Sequence, residues 1–151
     1  EYDKYHNEIQ FRWGVGGLGK KNSSSWIINT FLEQDRVERP WGYYRVLCEG
    51  TNYKVKELVI NPKSSLSMQR HKHRSETWNL ISGKASIRLI KEKQHQIEKR
   101  LTIDSTFTIP RYTWHQGVNH SEEPAHIVEV WRGKSNQLSE SDIERMVSYD
   151  T

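Results

Sequence analysis

Turn-forming residues interrupt this chain so often after Glu38 that no long regular element fits between them. Glu49-Gly50, Asn61-Pro62, Ser82-Gly83, Pro110 and Glu123-Pro124 mark off short segments, Gly and Pro being the strongest local punctuators. Between them the texture alternates: Tyr43 to Cys48, Asn52 to Ile60, Thr77 to Ile81, Ala85 to Ile90, Leu101 to Ile109 and Ala125 to Trp131. Neighbouring side chains of a strand point to opposite faces, so such stretches read as half-buried strands. Many short strands at this spacing predict an all-β sandwich or small barrel.

The two ends read differently. Residues 1–37 are expected to be an N-terminal arm, flexible in part, and residues 38–151 a single β domain. The arm holds Gly14-Val15-Gly16-Gly17-Leu18-Gly19-Lys20, which imitates a phosphate-binding loop. Position 21 is Lys rather than Ser or Thr, and no apolar strand precedes Gly14, so that reading is rejected. Ile27, Ile28, Phe31 and Leu32 have helical spacing, which predicts a short helix over Trp26–Val37. Ser139, Ser141 and Asp142 can cap a second one over Asp142–Val147.

Charge and composition exclude several classes. The 23 Lys and Arg are interspersed with 19 Asp and Glu, and no uninterrupted basic block exceeds two residues. Lys91, Lys93, Lys99 and Arg100 read as a solvated hairpin end, not a nucleic-acid surface. No apolar run approaches the roughly 18 residues of a spanning helix, and the residues from Glu1 do not resemble a signal peptide. The single cysteine, Cys48, rules out an internal disulfide and fits a reducing, cytoplasmic compartment. No nucleic acid and no membrane are expected as partners.

The chemistry concentrates in Gln69-Arg70-His71-Lys72-His73-Arg74-Ser75-Glu76. In a strand Gln69, His71 and His73 would share one face. His115 follows about 40 residues later, after Ile109-Pro110. Imidazoles and a carboxylate meeting inside a barrel are the makings of a zinc, manganese or iron site. A bare His-x-His among Arg70, Lys72 and Arg74 is more often a surface feature, but Glu76 and the distant His115 shift the balance. Glu129 is an odd carboxylate in the apolar run Val128-Glu129-Val130; a salt bridge and a functional role weigh about equally there. His6, His95, His120 and His126 have no such company.

These residues resemble the two motifs of the cupin superfamily. Gln69, His71, Glu76 and Gly83 fall on the first motif, with Lys63 replacing its leading Gly. Asp104, Pro110, Tyr112, His115 and Asn119 fall on the second, with Asp104 and Tyr112 replacing glycines. In this register Gln69 takes the first His position and His73 is an alternative ligand. The likeness sharpens through Arg39-Pro40-Trp41-Gly42-Tyr43-Tyr44, Tyr53-Lys54-Val55-Lys56, the Leu66 to Trp78 block, Val128-Glu129-Val130 and Ser141-Asp142-Ile143-x-Arg145. In that order they resemble the cupin domain of type II mannose-6-phosphate isomerases, usually the C-terminal part of a bifunctional isomerase and mannose-1-phosphate guanylyltransferase. The likeness runs over roughly Glu38 to Tyr149. Thr77 and Gln116 stand where the family usually has His and Arg, cationic groups expected near the site, and Tyr149-Asp150-Thr151 replaces its Tyr-Gly-Arg ending.

The resemblance implies a double-stranded β-helix, the cupin jelly-roll barrel, with short N- and C-terminal helical segments. It implies a divalent cation (Zn, Mn, Co or Fe) on Gln69, His71, Glu76 and His115, and interconversion of mannose 6-phosphate and fructose 6-phosphate through an enediol. His73 and Glu129 are the candidates for the proton carrier, and Lys56 and Arg74 for the substrate phosphate. Arg39 and Trp41 are expected to fix the chain entering the barrel. A homodimer is expected by analogy. The competing readings are a non-catalytic module that binds a sugar or nucleotide sugar, and a metal-dependent oxygenase on the same fold.

Overall fold

The computed structural model describes residues 36–91 and 95–146, all within the compact unit Asp35–Thr151. The glycine-rich run, the segment 26–35, Lys93 and the last five residues lie outside the described residues, and with them most of the expected arm and the N-terminal helix. The described chain is built of strands: β1 (Val37–Arg39), β2 (Gly42–Gly50), β3 (Tyr53–Ile60), β4 (Ser64–Ser65), β5 (Gln69–Arg70), β6 (Ser75–Ser82), β7 (Ser86–Ile90), β8 (Gln96–Arg100), β9 (Thr106–Ile109), β10 (Trp114–Asn119), β11 (Ala125–Arg132) and β12 (Glu144–Arg145). One sheet runs β1-β2-β3-β11-β6-β9 and the other β12-β5-β10-β7-β8, with β4 also on β10. The pairings are antiparallel. The all-β expectation holds.

The core lies between the sheets. Leu58, Ile60, Trp78, Leu80, Ile109 and Ile127 come from the first sheet and Ile87 and Leu89 from the second, joined by Leu66 and Leu101. Alternation is what delivers them: in β6, Glu76, Trp78 and Leu80 are buried while Thr77 and Asn79 are only half-buried. Burial of such side chains stabilises a fold by about 1.5–3 kcal/mol each.

Two strands carry no alternating apolar signal. β8 is almost wholly exposed, and Lys91, Lys99 and Arg100 are solvated around its hairpin with β7. β10 buries His115, Gly117 and Asn119, residues that do not announce a strand. The strand expected over Leu101–Ile109 begins only at Thr106, because Thr102 and Ser105 close a turn through their hydroxyls (2.7 Å). The helix expected over Asp142–Val147 is replaced by β12, whose Glu144 and Arg145 pair with Arg70 and Gln69. Asp142 does not cap a helix; its carboxylate accepts the backbone N–H groups of Lys72 and His73, both at 3.0 Å. The helical structure among the described residues beyond β11 is a single 3-10 turn, Ser135–Gln137.

Several motif residues prove to be architectural. Gly42 has φ +140, and a Cβ there would lie 1.9 Å from the Val59 carbonyl oxygen. Lys63 and Tyr112, which replace motif glycines, keep the left-handed backbone at φ 54 and 61, a conformation costly for residues with a Cβ. Asn119 donates to the carbonyls of Ile60, Asn61 and Glu123 and accepts from Ser121, closing the loop between β10 and β11.

Candidate metal centre and adjoining pocket

His115 on β10 stands in register with Gln69 on β5, and His71 and Glu76 come from either side of the bend between β5 and β6. His71, Glu76 and His115 are all buried, and one ligand atom from each lies within 4.8 Å of the others. His71 Nε2 is 3.0 Å from Glu76 Oε1, and His115 Nε2 is 3.3 Å from Glu76 Oε2. Ligands around a tetrahedral ion, each about 2.0–2.2 Å from it, are separated by comparable distances. Gln69 is buried at the edge of this group, its Oε1 accepting from the Ser67 hydroxyl at 3.2 Å.

The outer nitrogens settle the tautomers. His71 Nδ1 meets the Asp142 carbonyl at 2.6 Å and His115 Nδ1 meets the Thr113 carbonyl at 2.8 Å. A carbonyl only accepts, so each Nδ1 donates, which leaves each Nε2 facing Glu76. Two imidazole nitrogens against one buried carboxylate call for positive charge between them, and His115 Nε2 has no hydrogen-bond partner. The donor set therefore fits a divalent cation.

Glu76 also accepts from Arg74 Nε (2.9 Å) and Trp78 Nε1 (3.2 Å). Burial favours its protonated form, but the facing His115 and His71 outweigh this and hold its carboxyl well below the usual carboxylate range. Glu129 goes the other way. Burial first, then the nearby Glu76 charge, drive it well above that range, against the pull of Lys56 and Arg74. The proton affinities of two neighbouring carboxyls are thus shifted in opposite directions, an arrangement suited to acid–base work.

Next to the cluster lies a pocket of about 310 Å³, lined among others by Gln69, Lys56, Arg74, Glu129, Trp131, Tyr44, Glu140 and Arg145. Its volume is at the lower end of the range for small-molecule sites. Lys56 and Glu129 are cross-strand partners in β3 and β11. Arg74 is buried and fully engaged: Nη1 donates to the Ser139 and Asp142 carbonyls, Nη2 lies 3.3 Å from His71 Nε2, and its Cζ sits 3.5 Å from the Trp131 ring centroid.

His73 is not brought in. The common face expected of Gln69, His71 and His73 fails because β5 ends at Arg70, and the following bend turns Arg74 inward instead. His73 is half-buried in a separate groove with Lys72, Asn136 and Asp142. Thr77 and Gln116 follow Glu76 and His115 directly, so alternation turns them away from the pocket; Gln116 bonds the Leu66 carbonyl at 2.7 Å. Their substitution removes no cation from the pocket wall. Conversely, Arg39 and Trp41, expected only to fix the chain at the barrel mouth, line the pocket, as do Tyr44 and Glu140, which no spacing rule pointed to.

Two facing antiparallel sheets around a buried His–Glu–His cluster define a cupin. The chain belongs to the family described as mannose-6-phosphate isomerase C-terminal, whose model matches residues 29–148. It is 34% identical over 127 residues to the alginate biosynthesis protein AlgA of Pseudomonas putida, covering 79% of this chain and 25% of that protein. It is 36% identical over 110 residues to a mannose-1-phosphate guanylyltransferase of Salmonella muenchen, covering 73% and 22%. The chain thus spans about a quarter of the length of these relatives. Among solved structures, oxalate decarboxylase from Bacillus subtilis matches with a TM-score of 0.64 at 19% identity, over 74% of this chain and 29% of that one. The capsular polysaccharide assembling protein CapF of Staphylococcus aureus matches at 0.63 and 16%, over 74% and 33%. These two likenesses establish the fold. No helix among the described residues is long and apolar enough to cross a membrane.

Proposed function

We propose that this domain interconverts mannose 6-phosphate and fructose 6-phosphate, with His71, Glu76, His115 and Gln69 as the residues that would hold a divalent ion. The observation that carries this reading is a cavity in which Gln69 of the proposed ion-binding group, the cationic Lys56 and Glu129, whose proton affinity burial raises, all line the wall. A bound divalent ion supplies Lewis-acid polarisation of a substrate oxygen.

The chain's own side chains supply the rest. Aldose–ketose exchange moves a proton between C1 and C2 and needs a group that can hold and return it. Glu129 has that property, because its proton affinity is raised toward the working pH. In this reading Glu129, rather than His73, is the proton carrier. Lys56, Arg39 and Arg145 bring positive charge to the wall for the phosphate, while Tyr44 and Trp131 exclude water. Arg74 holds Glu76 and His71 in place.

The test is a coupled assay for fructose 6-phosphate formation by the purified chain, with bound metal measured alongside. Activity lost with chelator and with His71→Ala supports the proposal. Sugar-phosphate binding without turnover would replace it with a non-catalytic binding module.

A further inference from the structure

The pocket carries an anion of its own. Lys56 is 3% exposed, and its ammonium lies 3.7 Å from the Tyr44 ring centroid and 4.4 Å from that of Trp131. It donates to both carboxylate oxygens of Glu140, at 3.0 and 3.1 Å. The Glu140 side chain is 48% exposed and lines the same cavity.

The backbone on either side of Glu140 is tied down. The Ser139 carbonyl accepts from Arg74, and Asp142 is held through its carbonyl by Arg74 and His71 and through its carboxylate by Lys72 and His73. The freedom that remains to Glu140 is its side chain, which has water beside it. Lys56 has no such freedom: leaving a buried ammonium unpaired is costly, whereas exchanging one anion for another on it costs little.

Resting on the isomerase reading, we propose that Glu140 is a specificity-determining residue: it occupies the Lys56 subsite, and a ligand's anionic group enters by displacing it. A ligand carboxylate gains nothing over Glu140, being the same group. A phosphate does gain, with its charge of about −1.5 to −2 and three strong acceptor oxygens. Glu140 therefore sets a threshold at the Lys56 subsite: a phosphate still gains there, whereas a sugar acid binds no better than the neutral sugar.

The experiment is calorimetric titration of the whole chain, metal-loaded, with fructose 6-phosphate, fructose and glucuronate. Glu140→Gln is expected to tighten fructose 6-phosphate about tenfold, the scale of one charge-assisted hydrogen bond. It is also expected to tighten glucuronate by at least as much and to leave fructose unchanged; Glu140→Ala moves in the same direction. Lys56→Met abolishes the gain. Glu144→Gln removes an equal charge from the same segment, where it pairs with Arg70, and is expected to change none of the three. The proposal is overturned if Glu140→Gln leaves or weakens fructose 6-phosphate binding, if fructose tightens equally, if Glu144→Gln reproduces the effect, or if no variant binds the phosphate. Turnover is read in parallel: binding without isomerisation sinks the isomerase reading and leaves this one standing.

Discussion

Glu76 and Glu129 share one donor, the indole N–H of Trp78, which lies 3.2 Å from the first and 3.1 Å from the second. Both carboxyls are buried, yet only Glu76 faces the imidazole edges. The two ionisations are consequently driven apart, and stability should follow pH in opposite senses at the two positions.

A carboxyl whose proton affinity rises on folding stabilises the native state below its unfolded value, about 4.3, and loses that contribution as pH rises through the folded value. Glutamine imitates the neutral form. Glu129→Gln is therefore expected to match the parent near pH 4 and to become the more stable of the two by pH 8. Glu76 is depressed, so its contribution is present above about 4.3 and is lost as pH falls through its folded value. Glu76→Gln should then cost more at pH 7 than at pH 3. Urea unfolding of chelator-treated protein across this range checks both, and a pH-independent difference in either variant refutes the assignment.

Zinc or manganese is expected to raise the melting temperature of the parent chain but not of His115→Ala. At an ion concentration one hundred times the dissociation constant the gain is about 2.7 kcal/mol, or several degrees for a domain of this size. Differential scanning calorimetry with and without chelator measures it. An equal shift in the variant would place the ion elsewhere.

Tyr112 keeps a left-handed backbone at φ 61, and the residue is 56% exposed. Glycine relieves a strain of about 1–2 kcal/mol and gives back part of it through the freer unfolded chain. Tyr112→Gly should stabilise the domain by about 0.5–1 kcal/mol, seen as a higher urea midpoint at constant slope. A loss of stability would contradict the strain argument.

The reverse holds at Gly42, where a Cβ would meet the Val59 carbonyl oxygen at 1.9 Å. Gly42→Ala must push β2 away from β3 and is expected to cost more than about 2 kcal/mol. Loss of the variant from the soluble fraction, or a lowered unfolding midpoint, is the readout.

The fold was legible wherever a strand has one wet and one dry face, as in β3, β6 and β11. It was illegible in β8, which is polar but for Ile97, and in β10, which buries His115, Gly117 and Asn119 beside Val118. The candidate ion-binding residues could be read because the two cupin motifs place them, and Glu129 because a carboxylate between valines is anomalous. His73 leaves the face expected of it, and Arg74 turns inward, because alternation has meaning only while the backbone stays extended, and it bends after Arg70. Glu140 and Tyr44 reach the pocket from elements remote in sequence, joined to it by contacts that leave no periodic trace.

His71 takes its orientation from the carbonyl of Asp142, 71 residues further along. On the ribosome, every candidate ligand is therefore synthesised well before the group that aims one of them. A nascent or truncated chain stopping short of Asp142 would carry all the candidate donor atoms without the carbonyl that orients His71 through its Nδ1.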